Sequence, residues 1–121
     1  MTRIFRVDRD KILKNLTSWA QNLAGKPEVL SVVLFGSFAR GDCTAASDAD
    51  LLILLHDSML RFDERIPVYR PSGMGVSVDV FPYTLSEARQ SLKEGWGVVG
   101  VALKEGLTLY QADSTLEILL A

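Results

Sequence analysis

Residues 29–55, V-L-S-V-V-L-F-G-S-F-A-R-G-D-C-T-A-A-S-D-A-D-L-L-I-L-L, decide the fold of this chain. Val29–Phe35 is an apolar, β-branched run of strand length, bounded by Pro27 before it and Gly36 after it. Residues 51–55 form a second such run. That run shows no in–out alternation, which predicts a strand covered on both faces, as in the middle of a sheet. Between the two runs lie a Gly-Ser turn, a polar loop and two aspartates. Polar groups set between two buried strands need a chemical reason.

One reason concerns Asp48 and Asp50. Side chains at i and i+2 of a strand point to the same face, so these carboxylates are expected to project together. Like charges held that close repel, and one pKa rises unless a cation is present. A hard divalent ion such as Mg²⁺ resolves the conflict, because it takes carboxylate oxygens and keeps phosphate oxygens as further ligands. An isolated Asp-x-Asp is equally compatible with a turn cap beside a solvated carboxylate.

The other reason concerns Gly36-Ser37. Glycine after a strand lets the backbone turn sharply and a ligand approach closely. Ser37 then offers a hydroxyl, and the next residues offer backbone N–H groups suited to phosphate oxygens. Arg40, three residues on, returns to the same face of a short helical turn and can pair with phosphate. Taken alone, an ordinary strand–turn with a solvated arginine reads the same way.

The combination is far more specific than its parts. Gly36-Ser37, Ala39-Arg40-Gly41 and Ser47-Asp48-Ala49-Asp50-Leu51 resemble the pattern of the DNA polymerase β-type nucleotidyltransferase superfamily. The likeness is greatest to its shortest members, the minimal nucleotidyltransferases (MNT), including the antitoxins of HEPN–MNT pairs.

Composition bounds the remaining possibilities. A chain of 121 residues, 48% apolar and 23% charged, reads as one ordinary globular domain spanning 1–121. No run reaches the roughly 18 apolar residues of a membrane span, and Met1-Thr2-Arg3 opens no signal peptide. Cys43 is the single cysteine, which excludes an internal disulfide and fits a reducing cytoplasm. The net charge of −2 lacks the basic excess of a protein that tracks nucleic acid, so templated polymerisation is not expected.

Along the rest of the chain, Asp8 or Asp10 caps a helix running to about Leu23. Its apolar stripe is Ile12, Leu13, Leu16, Trp19, Ala20 and Leu23, which places Trp19 in the core. Gly25 and Pro27 end it. Cys43 and the lone His56 have no catalytic partner and read as incidental. Residues 57–75 are the least legible: Phe62, Ile66 and Tyr69 suit a short helix that Pro67 and Pro71 limit, and Arg61, Arg65 and Arg70 read as a solvated face. Residues 76–81 alternate as a half-buried strand with Asp79 at its centre. Residues 85–104 read as two helical pieces broken at Gly95-Trp96-Gly97, the second apolar on most sides. That second piece either packs internally or offers a docking face. A short strand at residues 107–110 follows, and Asp113 caps a last helix containing Ile118, Leu119 and Leu120.

The resemblance implies an α/β (α+β) fold with a small mixed or antiparallel sheet and flanking helices, the polymerase β-like palm core. It implies that Asp79 completes a carboxylate triad with Asp48 and Asp50, holding two Mg²⁺ ions (Mn²⁺ as a substitute). It also implies that Gly36, Ser37, Arg40 and Ser47 seat the triphosphate of an NTP, ATP by preference. The implied reaction is transfer of a nucleoside monophosphate to a hydroxyl. Larger relatives append an acceptor-binding domain, so a helical HEPN partner protein is expected to bring the acceptor here. The alternatives are a non-catalytic module that occludes its partner and an aminoglycoside-type small-molecule nucleotidyltransferase.

Overall fold

The structure is a computed structural model and describes residues 8–44 and 47–112. The helix expected after Asp113 lies outside the described residues.

Helix α1 (Arg9–Leu23) starts where the Asp8 carboxylate accepts a hydrogen bond from the Lys11 N–H at 3.1 Å, satisfying one of the donors that a helix start leaves open. Its stripe of Ile12, Leu16, Ala20 and Leu23 is buried, and Trp19 packs partly against the same core. Strand β1 (Val29–Phe35) follows and leads into a single helical turn, α2 (Ser37–Arg40). Strand β2 (Ala49–Leu55) is antiparallel to β1. Helix α3 (Phe62–Tyr69) then leads to β3 (Val78–Thr84), which runs parallel to β2. Helices α4 (Leu85–Glu94) and α5 (Val99–Glu105) precede β4 (Leu107–Gln111), which pairs antiparallel with the other side of β1. The sheet order is β3-β2-β1-β4, a mixed sheet of four strands. This is the small mixed sheet with flanking helices that the resemblance implied.

The missing alternation in β1 and β2 has a direct cause: both strands are interior and both of their faces are covered. One face packs Val32, Leu34, Leu51 and Ile53 under α1. The other packs Val33, Leu52 and Leu54 under α4 and α5, through Leu85, Ala88, Val99 and Ala102. Burying apolar area at roughly 25 cal/mol per Å² on two faces is the main favourable term in this fold. No described helix is long and apolar enough to cross a membrane.

Three sequence expectations are corrected here. Arg65 is not on a solvated face; it is 4% exposed. Its guanidinium donates to Glu87 at 2.6 and 3.1 Å, to the Pro82 carbonyl at 3.0 Å and to the Leu60 carbonyl at 2.9 Å. An apolar stem with a fully paired head is how an arginine can be buried. Pro67 lies inside α3 rather than limiting it. Being near the helix end, it removes only one backbone hydrogen bond there. The third strand is displaced to Val78–Thr84, with Pro82 tolerated because β3 is an edge strand.

The break at residues 95–97 falls where expected. Thr84 and Glu87 cap α4 reciprocally, with Thr84 N–H donating to Glu87 at 2.9 Å and Glu87 N–H to the Thr84 hydroxyl at 3.2 Å. In α5, Val99 and Ala102 are buried while Val101 is 50% exposed, so its apolar residues divide between core and surface.

Candidate active site

Antiparallel β1 ends where β2 and β3 begin, so three strand termini meet at one edge of the sheet. Phe35 is paired across from Asp50, and Asp50 in turn from Asp79, a row crossing three strands. Equal register on neighbouring strands puts the two carboxylates on the same face. Asp48 stands just before β2, two residues ahead of Asp50. Asp48 and Asp79 are exposed and Asp50 is half-buried.

The Gly36 backbone has φ 80° and ψ −155°, a region essentially closed to residues with a side chain. It reverses the chain at the end of β1 and lets α2 begin at once. Gly36 O accepts from the N–H groups of Ala39 and Arg40 at 3.1 and 3.0 Å. The N–H groups of Ser37 and Phe38 then lie at the open start of the turn. Phe38 is buried beneath the sheet and anchors α2.

The electrostatics single out Asp50. Its carboxyl is held above the ordinary aspartate range, first by burial, then by the charges of Asp79 and Asp48, with Arg40 acting in the opposite sense. The donor set suits a hard divalent cation, since only carboxylate oxygens are offered and a cation offsets their repulsion. Among the described residues, no three His, Cys, Asp or Glu side chains converge closely enough to hold a metal ion as they stand. Asp48, Asp50 and Asp79 are thus neighbours by charge and register, rather than a closed cage.

The remaining expected residues are placed less uniformly. Ser37 opens α2 and is half-buried. Arg40 is in the vicinity but already engaged: its Nε donates to Asp42 at 3.2 Å and its Nη1 to Glu105 at 3.0 Å. The Ser47 hydroxyl accepts from the Thr44 N–H at 2.9 Å and serves to close the loop. His56 follows the far end of β2, away from the carboxylates, and half-buried Cys43 packs against the α1-side core.

Two contributors were missed from sequence. Arg9 donates to the Phe38 carbonyl at 2.8 Å and the Ala39 carbonyl at 3.3 Å, bracing α2 from the start of α1. Glu105 reaches Arg40 from the end of α5. Both contacts join segments far apart in the chain, so the local sequence does not reveal them.

Comparison with known proteins agrees with this fold. Residues 18–95, more than half of the chain, match the family model described as "Polymerase beta, Nucleotidyltransferase". Among curated proteins, none matches by sequence. The fold is shared with a structure assigned as a nucleotidyltransferase of Sulfolobus solfataricus, at TM-score 0.57 and 21% identity, covering 87% of this chain and 85% of that one. It is shared with a chain of a toxin–antitoxin complex with AMP-PNP, at TM-score 0.55 and 20% identity, covering 93% and 81%. A third likeness is to a chain of a complex between a tri-AMPylated Shewanella oneidensis HEPN toxin and an MNT antitoxin, at TM-score 0.53 and 15% identity, covering 92% and 79%. With the family model spanning the Gly-Ser turn, Asp48, Asp50 and the strand that carries Asp79, this chain belongs to the polymerase β nucleotidyltransferase family.

Proposed function

We propose that this protein is a cytoplasmic minimal nucleotidyltransferase that moves AMP from ATP onto a hydroxyl of a helical HEPN-type partner, and so acts as an antitoxin. The observation that carries the reading is the row of Asp50 and Asp79 on adjacent strands, with Asp48 beside them and the Gly36 turn alongside. The shared fold with chains of toxin–antitoxin complexes, one with AMP-PNP and one containing an AMPylated HEPN toxin, supports the choice of nucleotide and partner.

Asp48, Asp50 and Asp79 are the residues to hold divalent metal, Mg²⁺ or Mn²⁺. When bound, the metal supplies charge neutralisation at the triphosphate and a lowered barrier to deprotonating the acceptor. The Gly36–Ser37 turn seats the phosphates through the Ser37 hydroxyl and the N–H groups at the start of α2, with Arg40 and Ser47 at its rim. The acceptor oxygen attacks the α-phosphorus, the α–β P–O bond breaks, and pyrophosphate leaves. The acceptor's proton passes towards the Asp79 carboxylate. Positioning and charge compensation carry most of such a reaction.

The test is mass spectrometry of the protein encoded beside this chain, after incubation with ATP and Mg²⁺. An added AMP on the partner, absent with Asp50→Asn, is expected. An unmodified partner that is still neutralised overturns transfer in favour of occlusion. Modification of an added aminoglycoside instead moves the acceptor to the small-molecule class.

A further inference from the structure

Arg40 and Glu105 are 65 positions apart in the chain, yet their side chains meet at 3.0 Å. Gly106 brings them together. A Cβ at that position would overlap the Ala102 carbonyl oxygen and the Val33 side chain and stand 3.0 Å from the Leu34 carbonyl oxygen. Only a residue without a side chain lets the end of α5 lie this close on β1. Directly afterwards, Leu107 pairs with Leu34, one residue short of the end of β1. Glu105 is therefore held beside the strand end that leads into Gly36 and α2.

The guanidinium is consequently gripped twice. Asp42 takes Nε at 3.2 Å and Glu105 takes Nη1 at 3.0 Å. Because a guanidinium is planar and rigid, fixing two of its nitrogens fixes the third. Neither carboxylate engages Nη2, which keeps its N–H groups for a further acceptor, and the Arg40 charge acts on Asp50. Solvent-exposed ion pairs contribute little to folding, so the effect of this pair is expected at the site rather than in the melting temperature.

We propose that Glu105 is a positioning residue for nucleotide binding and acts through Arg40, holding its guanidinium towards the Gly36–Ser37 turn. This rests on the nucleotidyl-transfer reading above. Isothermal titration of the full chain with ATP in MgCl₂ tests it, using wild type, E105Q, R40A, the E105Q/R40A double variant and D50N, each checked by thermal melting. E105Q is expected to raise the Kd for ATP roughly threefold to tenfold, with melting unchanged. The double variant is expected to bind no more weakly than R40A, since Glu105 has no effect once Arg40 is gone. Equal ATP affinity in E105Q and wild type overturns the inference, as does an E105Q penalty that persists on the R40A background. Tighter ATP binding in E105Q also overturns it, because the pair would then be a latch that ATP must break. Those three results leave the functional reading standing if wild type binds ATP and D50N does not. No ATP binding by wild type sinks both.

Discussion

The Oδ2 atom of Asp50 stands 2.6 Å from the point that a Cβ on residue 36 would occupy. The Asp50 carboxylate can therefore lie where it does only because position 36 has no side chain, and the φ of 80° there separately favours glycine through the backbone. Gly36→Ala is expected to cost about 1–3 kcal/mol through backbone strain and to push the Asp50 carboxylate out of place. Urea unfolding and ATP titration check this together; wild-type values for both contradict it.

Asp50 sets a pH dependence of its own. Its folded pKa is raised above the ordinary 3.8, by burial first and then by Asp79 and Asp48. The folded state thus holds the proton more tightly than the unfolded chain. The associated stability is full below pH 3.8 and is lost as pH rises through the folded value. In metal-free buffer at neutral pH, Asp50→Asn should melt above wild type, and the gain should close on acidification. Melting curves across pH read this directly, and a gain that persists at low pH would show that another mechanism is at work.

Glu87 should behave in the opposite sense. Its pKa is lowered, chiefly by the hydrogen bonds from Arg65, so its stabilisation is present above 4.5 and lost as pH falls through the folded value. Removing the charge strands a guanidinium that is 4% exposed. Glu87→Gln is expected to lose about 2 kcal/mol at pH 7, with the deficit shrinking in acid. Equal denaturation midpoints for the two proteins at pH 7 would refute it.

Gly106→Ala should be costly although its backbone is extended (φ −79°). The new methyl overlaps the Ala102 carbonyl and the Val33 side chain, and overpacking of this kind costs about 1–3 kcal/mol. A shifted urea midpoint with an unchanged slope is expected. An unaltered midpoint would mean that α5 can slide on β1 without penalty.

Residues close in sequence already contained the strand–turn–strand unit. The unbroken apolar character of residues 51–55 states that both faces of β2 are covered, and it is borne out by cores on either side of the sheet. Asp48, Asp50 and the Gly36 turn lie within fifteen positions, so strand geometry alone predicts their proximity. The break between α4 and α5 and the N-cap of α1 were legible for the same reason: each depends on neighbours in the chain.

What only the tertiary structure decided involves distant partners. Alternation places Asp79 on a strand face, but the parallel pairing of β3 with β2 aligns it with Asp50. Arg65 reads as a surface charge because its compensating acceptors, Glu87 and the Pro82 carbonyl, come from segments about twenty residues away. Arg40 reads as free to meet phosphate because Glu105 is remote in the chain and is delivered by the packing of Gly106 on β1. A charged side chain takes its role from whatever neutralises it. Those neutralising groups are set by sheet order and register, which local propensity does not encode.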